Sequence, residues 1–196
     1  MIRHVQIHPQ ALPVTKETSR ADLATDSGML CLWDSAAFAH VTDYDSWDKE
    51  LCEDADIVRH IMAGHLVPLN LGDGAFAVDV RVGIPEHMTE REKTYWLVPS
   101  QPYYMRNSSG TLLLSAIEQI GNDPRSYLEV RLPAGDYCVR VQLIDWTQEP
   151  GATTEGGSAA SHALPDMIVF VDSFRGEQHF HFRTELKTFR REDALR

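Results

Sequence analysis

The stretch YLEVRLPAGDYCVRVQLIDW, residues 127–146, holds two runs of alternating character on either side of Pro-Ala-Gly. In the first run Leu128, Val130 and Leu132 point one way and Glu129 and Arg131 the other; in the second Tyr137, Val139, Val141 and Leu143 share a face. Successive side chains of a strand point to opposite sides, so each run reads as a half-buried β-strand. Pro133 can open a type I turn and Gly135 can take the left-handed conformation that closes a three-residue loop. The stretch therefore predicts a β-hairpin.

The same pattern recurs along the chain. HLVPLNL (65–71) and AFAVDVRV (75–82) flank Gly-Asp-Gly, and TYWLVPSQPYYM (94–105) and TLLLSAI (111–117) flank RNSSG. In the latter, Pro99 and Pro102 remove backbone donors and predict an edge strand or a break. DMIVFVD (166–172) is apolar on both faces, as a strand covered on both sides is, and QHFHFRT (178–184) returns to alternation beyond Gly176, predicting a fourth hairpin. Helical signal is confined to DSAAFAH (34–40), with Asp34 as cap, and to residues 48–64. There Leu51, Ala55, Val58 and Met62 fall at helical spacing and Gly64 is the stop. Hairpins following one another need two packed layers to bury their apolar faces. The chain is thus expected to form a single domain, 1–196, an antiparallel β-sandwich of about eight strands with one or two short helices. Residues 147–165 are rich in Gly, Ser, Ala and Thr and are expected to be a flexible loop.

Composition narrows the function. The 196 residues carry a net charge of −11, which repels phosphate backbones and anionic lipid, so nucleic acid and membrane are not the expected partners. A basic protein is. The first ten residues, MIRHVQIHPQ, hold no apolar signal-peptide core and no run approaches a membrane span, so a cytoplasmic protein is expected. Cys31, Cys52 and Cys138 are odd in number and widely spaced, fitting reduced thiols rather than a disulfide framework or zinc ribbon.

The negative charge is concentrated. Between Asp43 and Asp56 lie seven acidic residues against Lys49 alone, with Tyr44 and Trp47 among them. Aromatic anchors among acids suit a surface that meets a basic partner, and Tyr44, Asp45, Trp47, Asp48, Glu50, Glu53 and Asp54 are the candidate binding residues. Inward packing of Trp47 is the competing possibility. The stretch superficially matches a calcium loop at Asp43 and Asp45 but departs from it where Asp48 stands for the turn glycine and Asp54 for the bidentate Glu. His179 and His181, two apart on a strand, project together as half a metal site, but no further ligand lies at a recognisable spacing. No metal, cofactor or catalytic residue is assigned. Asn107-Ser108-Ser109 matches a glycosylation acceptor and, without a secretory signal, carries no weight.

Two stretches resemble known proteins. Thr25 to His40, TDSGMLCLWDSAAFAH, and Leu128 to Gln142, LEVRLPAGDYCVRVQ, are similar to an uncharacterised family of small bacterial proteins. The second, with the hairpin before it, also resembles the competence nuclease-inhibitor family. That resemblance implies a β-sandwich and the inhibition of a partner protein, and carries over no catalytic residue. The expected function is non-enzymatic: a bacterial immunity protein or inhibitor that neutralises a toxin such as a nuclease. A metal-dependent or small-molecule enzyme using His179 and His181 is the alternative, and a structural or assembly component a third.

Overall fold

A computed structural model of the chain describes residues 16–84, 87–174 and 182–189. Among these, ten strands form two sheets packed face to face. The first sheet runs β1 (Glu17–Thr25), β4 (Gly74–Val82), β10 (Met167–Ser173), β9 (Gly135–Ile144), β5 (Trp96–Pro99), and β6 (Tyr103–Asn107) also pairs with β9. The second runs β3 (Leu66–Asn70), β2 (Met29–Asp34), β7 (Thr111–Ala116), β8 (Tyr127–Arg131). Pairing is antiparallel except between β4 and β10, which run parallel. The β-sandwich expectation holds, with this one parallel seam inside it.

The expected hairpins do not. The strands on either side of Pro-Ala-Gly, β8 and β9, belong to different sheets, as do β3 and β4 across Gly-Asp-Gly, and β6 and β7 across RNSSG. Each short loop carries the chain from one sheet to the other. Gly135, expected in a left-handed turn, is the first residue of β9 and is not among the glycines with positive φ. A hairpin and a crossing impose the same demand on sequence, one apolar face per strand, so alternation alone does not separate them. The expected fourth hairpin lies partly outside the described residues.

The crossings come in neighbouring pairs. β1 pairs with β4 in one sheet while β2 pairs with β3 in the other, and β6 pairs with β9 while β7 pairs with β8. Each set of four is therefore one long hairpin bent across the sandwich. In the first, the bends touch where Leu71 and Gly72 donate their N–H groups to the Gly28 carbonyl at 3.2 and 3.1 Å. In the second, Leu132 N–H donates to Gly110 O (3.2 Å), and the buried Asn107 amide donates to the carbonyls of Leu132 (2.8 Å) and Pro133 (3.2 Å). Asn107 is thus a structural clamp.

Between the sheets Val78, Val80, Val82, Val139, Val141, Val169 and Val171 meet Leu30, Leu32, Leu66, Leu112 and Leu114 in one core. A second cluster, Met88, Ile144, Leu164, Ile168 and Phe170, covers the outer side of the first sheet, so β10 is enclosed on both faces as its composition predicts.

The connection from β2 to β3 carries α1 (Tyr44–Leu51) and α2 (Asp54–Ala63). Asp43 and Ser46 form a capping box at the start of α1, and Gly64, at φ +74°, ends α2. A break at Cys52 and Glu53 resets the helical phase, so the buried face of α2 is Ile57, His60 and Ile61; Met62 is exposed and Ala55 faces solvent. DSAAFAH forms successive turns rather than a helix, anchored where Asp34 Oδ1 accepts Ala36 N–H at 3.2 Å. The third helix, α3 (Glu90–Thr94), lies between β4 and β5. Residues 147–165 hold a bridge between Thr153 and Ala159, and Glu149 and the His162 carbonyl both receive Arg91. No helix among the described residues is long and apolar enough to cross a membrane.

Candidate functional site

A cleft of about 540 Å³ opens where the two bent hairpins meet at their tips. One wall is Val41 to Tyr44 with Trp47; the other is the β7–β8 connection, residues 118–123 and Arg125. The walls are stitched together: Asn122 N–H donates to Val41 O (2.9 Å) and the Trp47 indole donates to Ile117 O (3.0 Å). Gly121 makes this approach possible. A Cβ there would stand 2.9 Å from the Val41 carbonyl oxygen, at a φ of +158°.

The indole bond fixes what Trp47 does. Its ring is half-buried against the core, so the inward-packing possibility is partly realised. Tyr44 is not inward: its ring is 72 % exposed and stacks on Trp47, with centroids 6.2 Å apart and planes 24° from parallel. Together they present an aromatic surface at the mouth of the cleft.

Charge at the cleft is mainly negative. Asp43 accepts from Ser46 N–H (2.9 Å) and its hydroxyl (2.6 Å), and those bonds hold its carboxyl below the usual range. Glu118 accepts from Asp26 N–H (2.9 Å), Ser27 Oγ (2.6 Å) and Thr25 Oγ1 (3.2 Å), tying the bend between β1 and β2 to the cleft. Burial pushes the Glu118 carboxyl up, but these donors outweigh it and keep it ionised to lower pH than usual. Asp123 and Arg125 are exposed on the rim.

None of the other expected binding residues lines the cleft. Asp45 and Asp48 are exposed on α1, Glu53 precedes α2 and Asp54 opens it; none of the four enters an ion pair among the described residues. Glu50 differs. It turns inward to face His60 Nε2 (2.9 Å), Arg59 (3.2 Å) and His40 (3.4 Å), and serves the packing of α1 on α2. Sequence reading assigns no role to residues 117–126; the charged turn Asn122-Asp123-Pro124-Arg125 is the signal available there.

A second polar cluster lies on the outer face of the first sheet. Arg81 holds Glu92 through both terminal guanidinium nitrogens and passes over the Phe170 ring at 5.6 Å, while Asp79 faces Arg20 (3.8 Å) and Arg81 (3.5 Å). Burial raises the Asp79 carboxyl above its usual range. With Glu92 also capping α3 through Thr89 N–H (2.7 Å), this network fastens α3 to the sheet.

His179 and His181 lie outside the described residues. His60 and His65 come together, and the His162 carbonyl serves Arg91. Among the described residues no group of three or more His, Cys, Asp or Glu is arranged to hold a metal ion. The three cysteines are free thiols. Burial raises the Cys31 thiol well above its ordinary value, making it inert core.

No family model matches the chain, and no curated protein matches it. Among solved structures it is similar to the crystal structure of ComJ, inhibitor of the DNA degrading activity of NucA, from Bacillus subtilis. The identity is 10 %, the TM-score 0.49, and the alignment covers 82 % of this chain and 98 % of that one. No residue role passes between chains at that identity.

Proposed function

We propose that this protein is a non-enzymatic binding domain that neutralises a basic protein partner, as an immunity protein or inhibitor does to a toxin such as a nuclease, from within the bacterial cytoplasm. The observation that carries this reading is the α1–α2 face. There Asp45, Asp48, Glu53 and Asp54 stand exposed and, among the described residues, out of ion pairs, on the segment that carries the Tyr44–Trp47 stack. Carboxylates held in water by a rigid capped helix steer a cationic partner, and large aromatics supply the anchoring area that charge alone does not. The net charge of −11 extends the same field over the whole molecule.

The test is capture of a partner from the native host on the full chain, followed by measurement of binding rates and of the partner's own activity. Asp45→Lys with Asp48→Lys is expected to slow association by about tenfold or more at low salt and to flatten its salt dependence. A captured protein whose activity is untouched by a stoichiometric excess, or whose association ignores the double reversal, overturns the proposal.

A further inference from the structure

We infer that the cleft at the hairpin tips is a receptor for a single arginine side chain presented by a loop of the partner; this rests on the binding function proposed above and gives it a specific anchor point. The reasoning is chemical. A guanidinium is a flat cation that stacks on aromatic faces while its edge pairs with carboxylates. The mouth of the cleft offers the exposed face of Tyr44, stacked at 24° on the half-buried Trp47. Asp43, Glu118 and Asp123 stand around it, with Arg125 the opposing charge.

The carboxylates differ in what they have left to give. Asp43 and Glu118 are held in place by internal donors, contributing fixed negative charge at no cost in ordering. Asp123 is exposed and has room to accept the incoming guanidinium. The walls do not need to assemble on binding, because the Asn122–Val41 and Trp47–Ile117 hydrogen bonds already hold them. A volume of about 540 Å³ exceeds what one side chain fills, leaving space for the loop that bears it. A lysine ammonium, a point charge without a face to stack, suits the site less well.

The probe is Nα-acetyl-arginine amide, titrated into the full-length protein and followed by amide and indole NMR signals. Saturable shifts are expected at Tyr44, the Trp47 indole and Asp123, with the neutral isostere Nα-acetyl-citrulline amide leaving them unmoved. Tyr44→Ala is expected to weaken the probe by about threefold to fivefold. Asp123→Asn weakens it further, and Arg125→Ala strengthens it. Tyr44, Asp123 and Arg125 are exposed, so these variants keep the fold. Equal binding of the citrulline compound, or shifts confined to α2, overturns the inference. The two proposals fail separately. A neutralised partner indifferent to Tyr44→Ala and Asp123→Asn removes the cleft and leaves the inhibitor. A cleft that takes the arginine probe in a protein neutralising nothing does the reverse.

Discussion

The Nδ1 atoms of His60 and His65 stand 3.3 Å apart, within hydrogen-bonding distance of each other. His60 Nε2 faces Glu50 at 2.9 Å, and a carboxylate only accepts, so that nitrogen carries a proton. In neutral His60 the Nδ1 is then the acceptor, and His65 must donate. Both Nδ1 atoms cannot be protonated without breaking the contact that joins the end of α2 to the start of β3.

Stability is expected to fall as pH drops below about 6.5, the value of an unperturbed histidine. Burial lowers the pKa of both rings in the folded protein; for His60 it prevails over Glu50, and for His65 over Asp34, with Arg59 and Arg106 acting alongside it. The unfolded chain therefore binds protons first, and the stability present above that pH is lost on the way down. Glu50 adds a loss at lower pH: burial raises it, but His60, His40 and Arg59 hold it below its ordinary value. Urea unfolding at pH 7.5 and at pH near 5.5 checks this, and His65→Gln should flatten the upper part of the dependence. An unchanged midpoint across that range defeats the prediction.

Trp47→Ala is expected to cost about 2 to 4 kcal/mol, less than a fully buried tryptophan, because the ring is half-exposed. Trp47→Phe keeps most of the packing and loses the bond to Ile117, costing about 1 kcal/mol. Thermal or chemical unfolding of the two variants separates packing from the hydrogen bond. Equal costs would show the indole bond alone matters.

Glu92→Gln should destabilise by about 2 kcal/mol, since it removes the closer carboxylate of the buried Arg81 guanidinium and leaves it Asp79 at 3.5 Å. Adding Arg81→Met to that variant is expected to restore part of the loss. A double-mutant cycle with additive costs would show that the pair is not coupled.

Limited digestion with a broad-specificity protease should cut first between Thr153 and Ser161, the exposed turn beyond the Arg91 clamp. Arg91→Ala should speed that cut by releasing Glu149 and the His162 carbonyl. Earlier cleavage elsewhere counts against mobility in this segment.

The strands were legible because burial of one face writes a period of two into the chain, and β10 was legible as doubly covered because Ile168 and Phe170 are as apolar as Met167 and Val169. Sheet membership was not. Whether Leu132 and Gly135 face across a hairpin or a sandwich depends on hydrogen bonds made by the Asn107 side-chain amide and the Gly110 carbonyl, far away in the chain. The acidic run from Asp43 to Asp56 was likewise visible, but its helix was read over 48–64, and the Asp43–Ser46 cap that starts α1 at Tyr44 went unread because the charge pattern hid it; the facing wall at 118–125 carries no periodicity and became a wall only through folding.

The bent hairpins also set how the chain reaches its native state. Neither sheet can be completed from one continuous segment, because β4 needs β10 beside it and β2 needs β7. Loop-closure entropy must therefore be met before most strand contacts exist, which places the chain among slow-folding topologies. Until β10 arrives, the edge of β4 that it covers stays open, and the time spent in that state is when the chain is most exposed to pairing with its own copies.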